Sequence, residues 1–328
     1  MNWWILFGFI GCDTVIDHYG AAADPSDTKK IVFTVPKGAS PRTIGKQLEQ
    51  SKIIVSHDNF TMYVKLTKEG SCIKAGRFAL SRSMDAKTIL TTLCGTPLPN
   101  DVPFTVVEGW RIRDIDAALV KKKLIQPGEY ITLAKDPTQF KAAFPLPTGS
   151  LEGYLYPETY MITPDRFTVK SFINRQLETF DKVFYQKHLA AIKNSKRPFQ
   201  DNVIMASMLE REEPKPKNRP MVAGILWKRL DSKWKLGVDA TSRYTLAKWN
   251  DRKAFMKKLR NPNDIYNTRM RHGLPPTPIG NPSVDSLQAA LNPVSSPYWY
   301  YLHDHQKNLH PSRNVKEHEA YRKKYNVY

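Results

Sequence analysis

Three glutamates stand at the end of a predicted helix, where a carboxyl group could act as an acid. They are Glu210, Glu212 and Glu213 in the segment ASMLEREE. Glu212 continues an apolar stripe at helical spacing, formed by Ile204, Met205, Met208 and Leu209. A carboxyl group held against apolar surface has a raised pKa, because desolvation disfavours its charged form. Such a group suits protonation of a leaving glycosidic oxygen, although a glutamate-rich helix end is also an ordinary exposed turn.

More polar residues follow, in segments that suit a binding loop. Asp239 stands in LGVDATSRY, Tyr266, Asn267 and Thr268 form a YNT segment, and Gly273 opens GLPP. The Asn267 amide offers donors and an acceptor for an N-acetyl group or sugar hydroxyls, and Tyr266 could stack on a pyranose ring. Asp239 could assist electrostatically or hold a sugar hydroxyl. The alternatives are that Asp239 is a turn or cap residue and that the proline-rich loop is only a connector.

The composition excludes some classes of protein and leaves others open. The chain has 328 residues, enough for two or three domains, and a formal net charge of +19. That charge suits an anionic partner, but no RNP, helix-turn-helix or zinc-finger spacing is present, so we expect no nucleic acid. The cysteines Cys12, Cys72 and Cys94 form no CxxC pair. Cys72 and Cys94 are either a disulfide or two unpaired thiols.

The chain contains an internal duplication. Phe33–Ile54 and Phe104–Ile125 align without a gap, and the identities include the pairs Gly38/Gly109 and Arg42/Arg113. Shared periodicity alone would not match glycine and arginine, so the copies are a true repeat. Each predicts a strand, a glycine turn and a short amphipathic helix, and we expect returning strands at Ile73–Leu80 and Leu151–Ile162. This βααβ pattern resembles a LysM domain, or else one or both copies serve only as packing scaffolds.

The order of the C-terminal motifs resembles the YceG-like family, the endolytic murein transglycosylases of the MltG type. The resemblance covers the chain from about Lys30 and rests on Glu210-Arg211-Glu212, Asp239, YNT and GLPP, although Arg269 replaces a family tyrosine. It implies Glu212 as the acid and base, with Glu210 as the alternative. It implies substrate contacts from the five residues Asp239, Tyr266, Asn267, Thr268 and Gly273. The terminal His310 and His318 would support the site by hydrogen bonds. Neither a metal nor a cofactor is implied.

The resemblance also predicts the product, the partners and the location. Endolytic cleavage of the MurNAc-GlcNAc β-1,4 bond in nascent peptidoglycan would leave 1,6-anhydroMurNAc ends and help terminate glycan elongation. The partners would be glycan strands and peptidoglycan synthases. The apolar segment Trp3–Gly11 would be the remnant of a single-pass inner-membrane anchor, with the catalytic domain in the periplasm, although a bilayer span needs about 20 residues. A buried strand is the alternative for this segment.

The predicted fold is α+β, with LysM-like βααβ modules preceding a YceG-like catalytic domain. The predicted ranges are 1–29 for the anchor remnant and linker, 30–98 for the LysM-like module, 99–165 for the second repeat and 166–328 for the catalytic domain. A non-catalytic peptidoglycan-binding scaffold is the alternative function. A pyridoxal-phosphate lyase is a further alternative, but no lysine has a recognisable Schiff-base setting.

Overall fold

The computed structural model describes residues 19–327 and has a mixed α+β architecture, as predicted. It contains two compact units, the first extending to Asp101 and the second beginning at Val102. Among the described residues, no helix is long and apolar enough to cross a membrane. The predicted anchor segment Trp3–Gly11 lies outside the described residues, so its assignment stays a prediction.

The first unit has the order strand, helix, helix, strand, helix. Its elements are β1 (Ile31–Val35), α1 (Pro41–Gln50), α2 (His57–Thr67), β2 (Gly76–Leu80) and α3 (Ala86–Cys94). β1 and β2 are antiparallel, and Phe33 faces Phe78 across the pair. Helix α1 begins where the sequence predicts, because the Ser40 hydroxyl accepts the Thr43 amide at 3.2 Å. A disulfide joins Cys72 to Cys94 and ties the segment before β2 to the end of α3.

The second unit opens with the same order of elements. They are β3 (Val102–Thr105), α4 (Ile112–Lys121), α5 (Glu129–Ala134) and β4 (Thr159–Ile162), with β3 and β4 antiparallel. Equivalent residues of the two copies share unusual backbone angles: φ is +76° at Gly38 and +75° at Gly109, and 56° at Lys52 and 59° at Lys123. The repeated sequence therefore specifies the same turn before the helix and the same left-handed residue after it.

The returning strand of the second copy is shorter than predicted. Only Thr159–Ile162 pairs with β3, whereas Leu151, Tyr154 and Leu155 are buried in irregular backbone. Gly153 has a φ of +89°, and a Cβ there would lie 2.5 Å from Pro278. The left-handed glycine interrupts any strand at this point, because strand geometry requires a negative φ.

The remainder of the second unit is mostly helical. Its helices are α6 (Val169–Phe180), α7 (Leu189–Asn194), α8 (Phe199–Glu212), α9 (Arg219–Asp231), α10 (Asp239–Arg243), α11 (Arg252–Leu259), α12 (Val284–Leu291) and α13 (Val315–Tyr325). A hairpin of β5 (Tyr300–His303) and β6 (Leu309–Ser312) precedes α13. One hydrophobic cluster joins the second repeat to α6, α8, α9 and α12. The second copy is therefore part of this core, while the predicted domain boundaries stay a prediction.

Candidate active site

Helix α8 carries the three glutamates, and its burial determines where they emerge. All residues from Asn202 to Leu209 are buried, and the helix packs against α12. The helix begins at Phe199, and in its first turn the Asn202 side chain donates to the Pro198 carbonyl. The core therefore encloses the middle of α8, and the three glutamates stand at and just beyond its last turn, where this buried stretch ends.

Glu210 is held in a buried ion pair. Its carboxylate accepts hydrogen bonds from Arg219 Nη2 at 2.9 Å and from Arg219 Nη1 at 3.2 Å. The Ser283 amide donates at 2.8 Å, and the Ser283 hydroxyl donates to the same oxygen. These bonds connect α8 to the starts of α9 and α12. Glu210 consequently serves as a structural acceptor, and it is the less suitable of the two predicted acids.

Glu212 is in a different environment. The Tyr301 hydroxyl donates to Glu212 Oε1 at 3.3 Å, and among the described residues Glu212 forms no ion pair within 4.0 Å. Burial raises the pKa of Glu212, and the negative charge of Asp239 raises it further, against the opposing effects of His303, Tyr301 and Arg269. The residue as a whole remains partly exposed. A carboxyl group whose pKa is raised by burial is suited to general acid catalysis.

Asp239 lies close enough to Glu212 for its negative charge to raise the pKa of that carboxyl group. It is the first residue of α10, and its carboxylate forms an ion pair with Arg269 Nε. The bond to Asp239 raises the pKa of Arg269. Arg269, which follows the YNT segment, therefore brings a positive charge to the site where the family pattern has a tyrosine. Both side chains are about half exposed, so a substrate could reach them.

Glu213 is a residue whose role the sequence did not reveal. It is fully buried, and its carboxylate lies 2.9 Å from His303 Nε2 and accepts the Lys215 amide at 2.8 Å. His303 is in β5, two residues after Tyr301 on the same strand. The Glu213–His303 contact thus fixes β5 beside the end of α8, and it helps to place the Tyr301 hydroxyl on Glu212. In the sequence, the only indication of this role was that Glu213 directly follows Glu212.

Asn267 does not face a substrate cleft, contrary to its predicted sugar contact. It is 0% exposed, and its amide nitrogen donates to the carbonyls of Lys258, Leu259 and Asn261 at 3.0–3.1 Å. Its amide oxygen accepts the Arg269 N–H at 3.1 Å. The side chain thus adds hydrogen bonds to carbonyls at and just beyond the end of α11, and it holds the backbone of Arg269. We correct the role of Asn267 to that of a positioning residue.

Thr268 is likewise directed inward, contrary to its predicted substrate contact. It is buried, and its hydroxyl accepts the Val238 amide at 3.0 Å and lies 3.1 Å from the Thr241 hydroxyl. The Thr268 carbonyl also accepts the Gly237 amide. These bonds fasten the YNT segment to the start of α10. They explain how Asp239 and Arg269, distant in the sequence, come to lie together.

Tyr266 and Gly273 lie in the same loop, before and after the two buried residues Asn267 and Thr268. The Tyr266 hydroxyl is 2.9 Å from that of Thr277, and its ring lies 4.8 Å from the Tyr244 ring. Beneath them, the Tyr244 hydroxyl donates to buried Glu152 at 2.9 Å. Gly273 has a φ of +90°, and a Cβ there would meet no atom within 4 Å. Glycine is therefore favoured at this position by the backbone angle and not by a lack of space. The predicted substrate contacts of both residues stay predictions.

The turn of the second repeat lies against the end of α8. A Cβ on Gly109 would lie 2.9 Å from Arg211 Cδ, and a Cβ on Gly280 would lie 2.5 Å from the Gly109 carbonyl oxygen. Backbone bonds of 2.7 and 2.9 Å link Gly109 and Trp110 to Asn281. The second repeat thus supports the helix end that carries Glu212, together with the loop that follows GLPP.

His310 and His318 contribute to the packing of the C-terminal hairpin. His310 Nε2 lies 3.0 Å from Asp304 Oδ2, and its ring stacks on Tyr325 at 3.9 Å. His318 contacts the Tyr300 ring at 5.3 Å. Within residues 19–327 no group of three or more His, Cys, Asp or Glu side chains could hold a metal ion.

Comparison with known proteins extends these observations. The model of the YceG-like family matches residues 33–324. The endolytic murein transglycosylase of Bacillus subtilis is 28% identical over 314 residues, covering 91% of this chain and 86% of the relative. That of Streptococcus pneumoniae is 25% identical over 343 residues, with 95% of this chain and 61% of the relative covered. A yceG-like protein of Listeria monocytogenes, known from a crystal structure, has a TM-score of 0.59 and 26% identity, covering 89% of this chain and 99% of its own.

Proposed function

This chain belongs to the YceG-like family, and we propose that it is an endolytic murein transglycosylase with Glu212 as the catalytic acid and base. The observation that supports Glu212 as the acid is the contrast between Glu210 and Glu212, which are separated by one residue. The Glu210 carboxylate accepts hydrogen bonds from Arg219 and Ser283, whereas Glu212 has a raised pKa and accepts a hydrogen bond from Tyr301. The relatives named as endolytic murein transglycosylases support peptidoglycan as the substrate.

The arrangement supports a mechanism that uses one carboxyl group. Protonated Glu212 donates its proton to the bridging oxygen of the MurNAc-GlcNAc β-1,4 bond as that bond breaks. The carboxylate of Glu212 then removes the proton from the muramyl C6 hydroxyl, whose oxygen attacks the anomeric carbon and closes a 1,6-anhydro ring. The proton count balances and no water is consumed. Positive charge develops on the sugar ring in this step, and the Asp239 carboxylate, which is ion-paired with Arg269, is a nearby group of opposite sign.

The other functional assignments are part of the same proposal. The first βααβ unit would act as a LysM-like glycan-binding module, and the N-terminal segment would anchor the chain to the inner membrane with its catalytic domain in the periplasm. The Cys72–Cys94 disulfide supports an extracytoplasmic location, because disulfides persist in oxidising compartments. Peptidoglycan synthases would be partners, since new glycan strands are the substrate.

Product analysis in labelled water tests the proposal. The protein is incubated with uncrosslinked glycan strands in ¹⁸O-water, and the new muramyl ends are identified by mass spectrometry. We expect 1,6-anhydro ends without label, and we expect Glu212→Gln to lose at least about 10²-fold in rate. Glu178→Gln, an exposed glutamate of α6, is the matched control and should cleave normally.

Three other results would contradict the proposal in different ways. Labelled reducing ends would identify a hydrolase and would require a second carboxylate, for which Asp239 is the candidate. Loss of cleavage in Glu210→Gln with normal cleavage by Glu212→Gln would transfer the acid role to Glu210. Binding of strands by the wild-type protein without any cleavage would identify the non-catalytic scaffold.

A further inference from the structure

A cluster of aromatic side chains lies on the surface of the second unit, outside the catalytic residues described above. Trp234, in the turn after α9, is 42% exposed, and its ring centroid lies 4.6 Å from that of Trp299 and 6.0 Å from that of Tyr300. Trp299 and Tyr300 are themselves partly exposed. We refer to these three residues as the aromatic platform. An exposed tryptophan leaves a large apolar ring in water, so a partner that covers it would gain free energy.

The backbone fixes Trp234 in this exposed position. The preceding Lys233 has a left-handed φ of 57°, and the Trp234 amide donates to the Arg229 carbonyl at 2.8 Å. This is the bond pattern that ends a helix with a left-handed residue. Because a lysine has no steric freedom comparable to glycine at that angle, the turn carries a small conformational cost. The ring is thus presented by a defined turn rather than by a flexible loop, which limits the entropy lost when a ligand binds.

One arginine connects the platform to the catalytic residues. Arg229 Nε donates to the Trp299 carbonyl at 2.8 Å, and its Nη1 donates to the Leu236 carbonyl at 2.6 Å. Its guanidinium carbon lies 5.6 Å from the Tyr300 ring centroid and 5.8 Å from that of Tyr301. Tyr301 donates to Glu212, and Leu236 stands three residues before Asp239. Arg229 therefore holds the platform, the hydrogen-bond donor to Glu212 and the segment leading to Asp239 in one rigid arrangement.

We propose that Trp234, Trp299 and Tyr300 form a saccharide subsite that binds the glycan strand away from the bond being cleaved. A pyranose ring offers a face of C–H groups that packs flat on an aromatic ring, while its hydroxyl and N-acetyl groups need polar partners at the edge. Lys228 brings an ammonium group to the platform: its Nζ lies over the Trp299 ring, 4.6 Å from the centroid, and donates to the Ser296 carbonyl at 2.7 Å, which leaves further N–H groups for a sugar. A long strand could occupy this subsite and the Glu212 site together, and the gain in effective concentration would favour strands over short fragments. This inference rests on the proposed function.

Direct binding measurements separate the subsite from catalysis. In the Glu212→Gln background, fluorescently labelled uncrosslinked strands are titrated and the Kd is obtained from anisotropy. We expect Trp234→Ala to weaken binding about 3- to 10-fold, the range of an aromatic stacking contact, and Trp234→Tyr to recover most of the loss. Met256→Ala is the matched control, because Met256 is also 42% exposed in the same unit, and it should bind as the parent does.

Kinetics and a vesicle assay complete the test. With Glu212 restored, Trp234→Ala should raise KM for long strands while kcat changes less than about twofold, the pattern expected for lost uniform binding. Unchanged strand affinity in Trp234→Ala would overturn the subsite while wild-type cleavage still upheld the proposed function. If Trp234→Ala bound phosphatidylglycerol vesicles less tightly than the parent protein but bound strands equally well, the platform would instead be a membrane contact. Failure of the wild-type protein both to bind and to cleave strands would refute both proposals.

Discussion

Replacement of Asn267 by alanine distinguishes a structural role from direct substrate binding. The substitution removes an amide nitrogen whose two N–H groups are shared among the carbonyls of Lys258, Leu259 and Asn261, and an amide oxygen that accepts the Arg269 N–H. Each protein hydrogen bond contributes about 0.5–1.5 kcal/mol net, and buried groups left without partners add a further penalty. Some of these carbonyls will find water, because Asn261 is exposed. We therefore expect the free energy of unfolding to fall by roughly 2–4 kcal/mol.

The measurement is chemical denaturation followed by circular dichroism, together with the melting temperature. For a unit of this size the loss corresponds to a fall in Tm of about 4–16 °C. Asn263→Ala is the control, because Asn263 is exposed in the same loop and its replacement should change stability by less than about 0.5 kcal/mol. Cleavage by Asn267→Ala should also fall, since the backbone of Arg269 loses its anchor. An unchanged Tm with a strongly raised Kd for glycan strands would refute the structural role and restore the predicted sugar contact.

Two further predictions concern stability. Burial raises the pKa of Glu152 from 4.5 to about 8. The folded protein therefore binds the Glu152 proton more tightly than the unfolded chain does. This proton binding stabilises the fold fully at pH below 4.5, and the stabilisation is lost as the pH rises to about 8. Glu152→Gln should flatten the dependence of unfolding free energy on pH between 5 and 8, and an unchanged slope would contradict the burial argument. Gly109→Ala should destabilise its unit by more than the roughly 1 kcal/mol of left-handed strain expected for Gly38→Ala. The two glycines share nearly the same φ, but only a Cβ on Gly109 would meet Arg211. Equal losses in thermal unfolding of the two variants would show that the Arg211 contact has no energetic weight.

Local features of the chain were predictable because they depend on neighbours in sequence. The start of α1 at Ser40 and Pro41 and the turns at Gly38 and Gly109 follow from capping and from the freedom of glycine to adopt a positive φ. The order of glutamate, aspartate, YNT and GLPP was also enough to suggest the family that the comparison with known proteins shows. Helical periodicity placed Glu212 on the apolar stripe, in agreement with the raised pKa of its carboxyl group.

The tertiary structure decided which way each polar side chain points. Periodicity cannot separate Glu210 from Glu212 decisively, because the difference lies in Arg219, Ser283 and Tyr301, which come from other elements. The same limit applies to Asn267. An asparagine in a proline-rich loop can bind a ligand or the backbone, and only the position of the end of α11 determines which carbonyls lie within its reach. The sequence by itself thus determined the residues available for chemistry and their order. Burial and long-range hydrogen bonds, which arise only when distant segments pack together, decided which of those residues remain free to act.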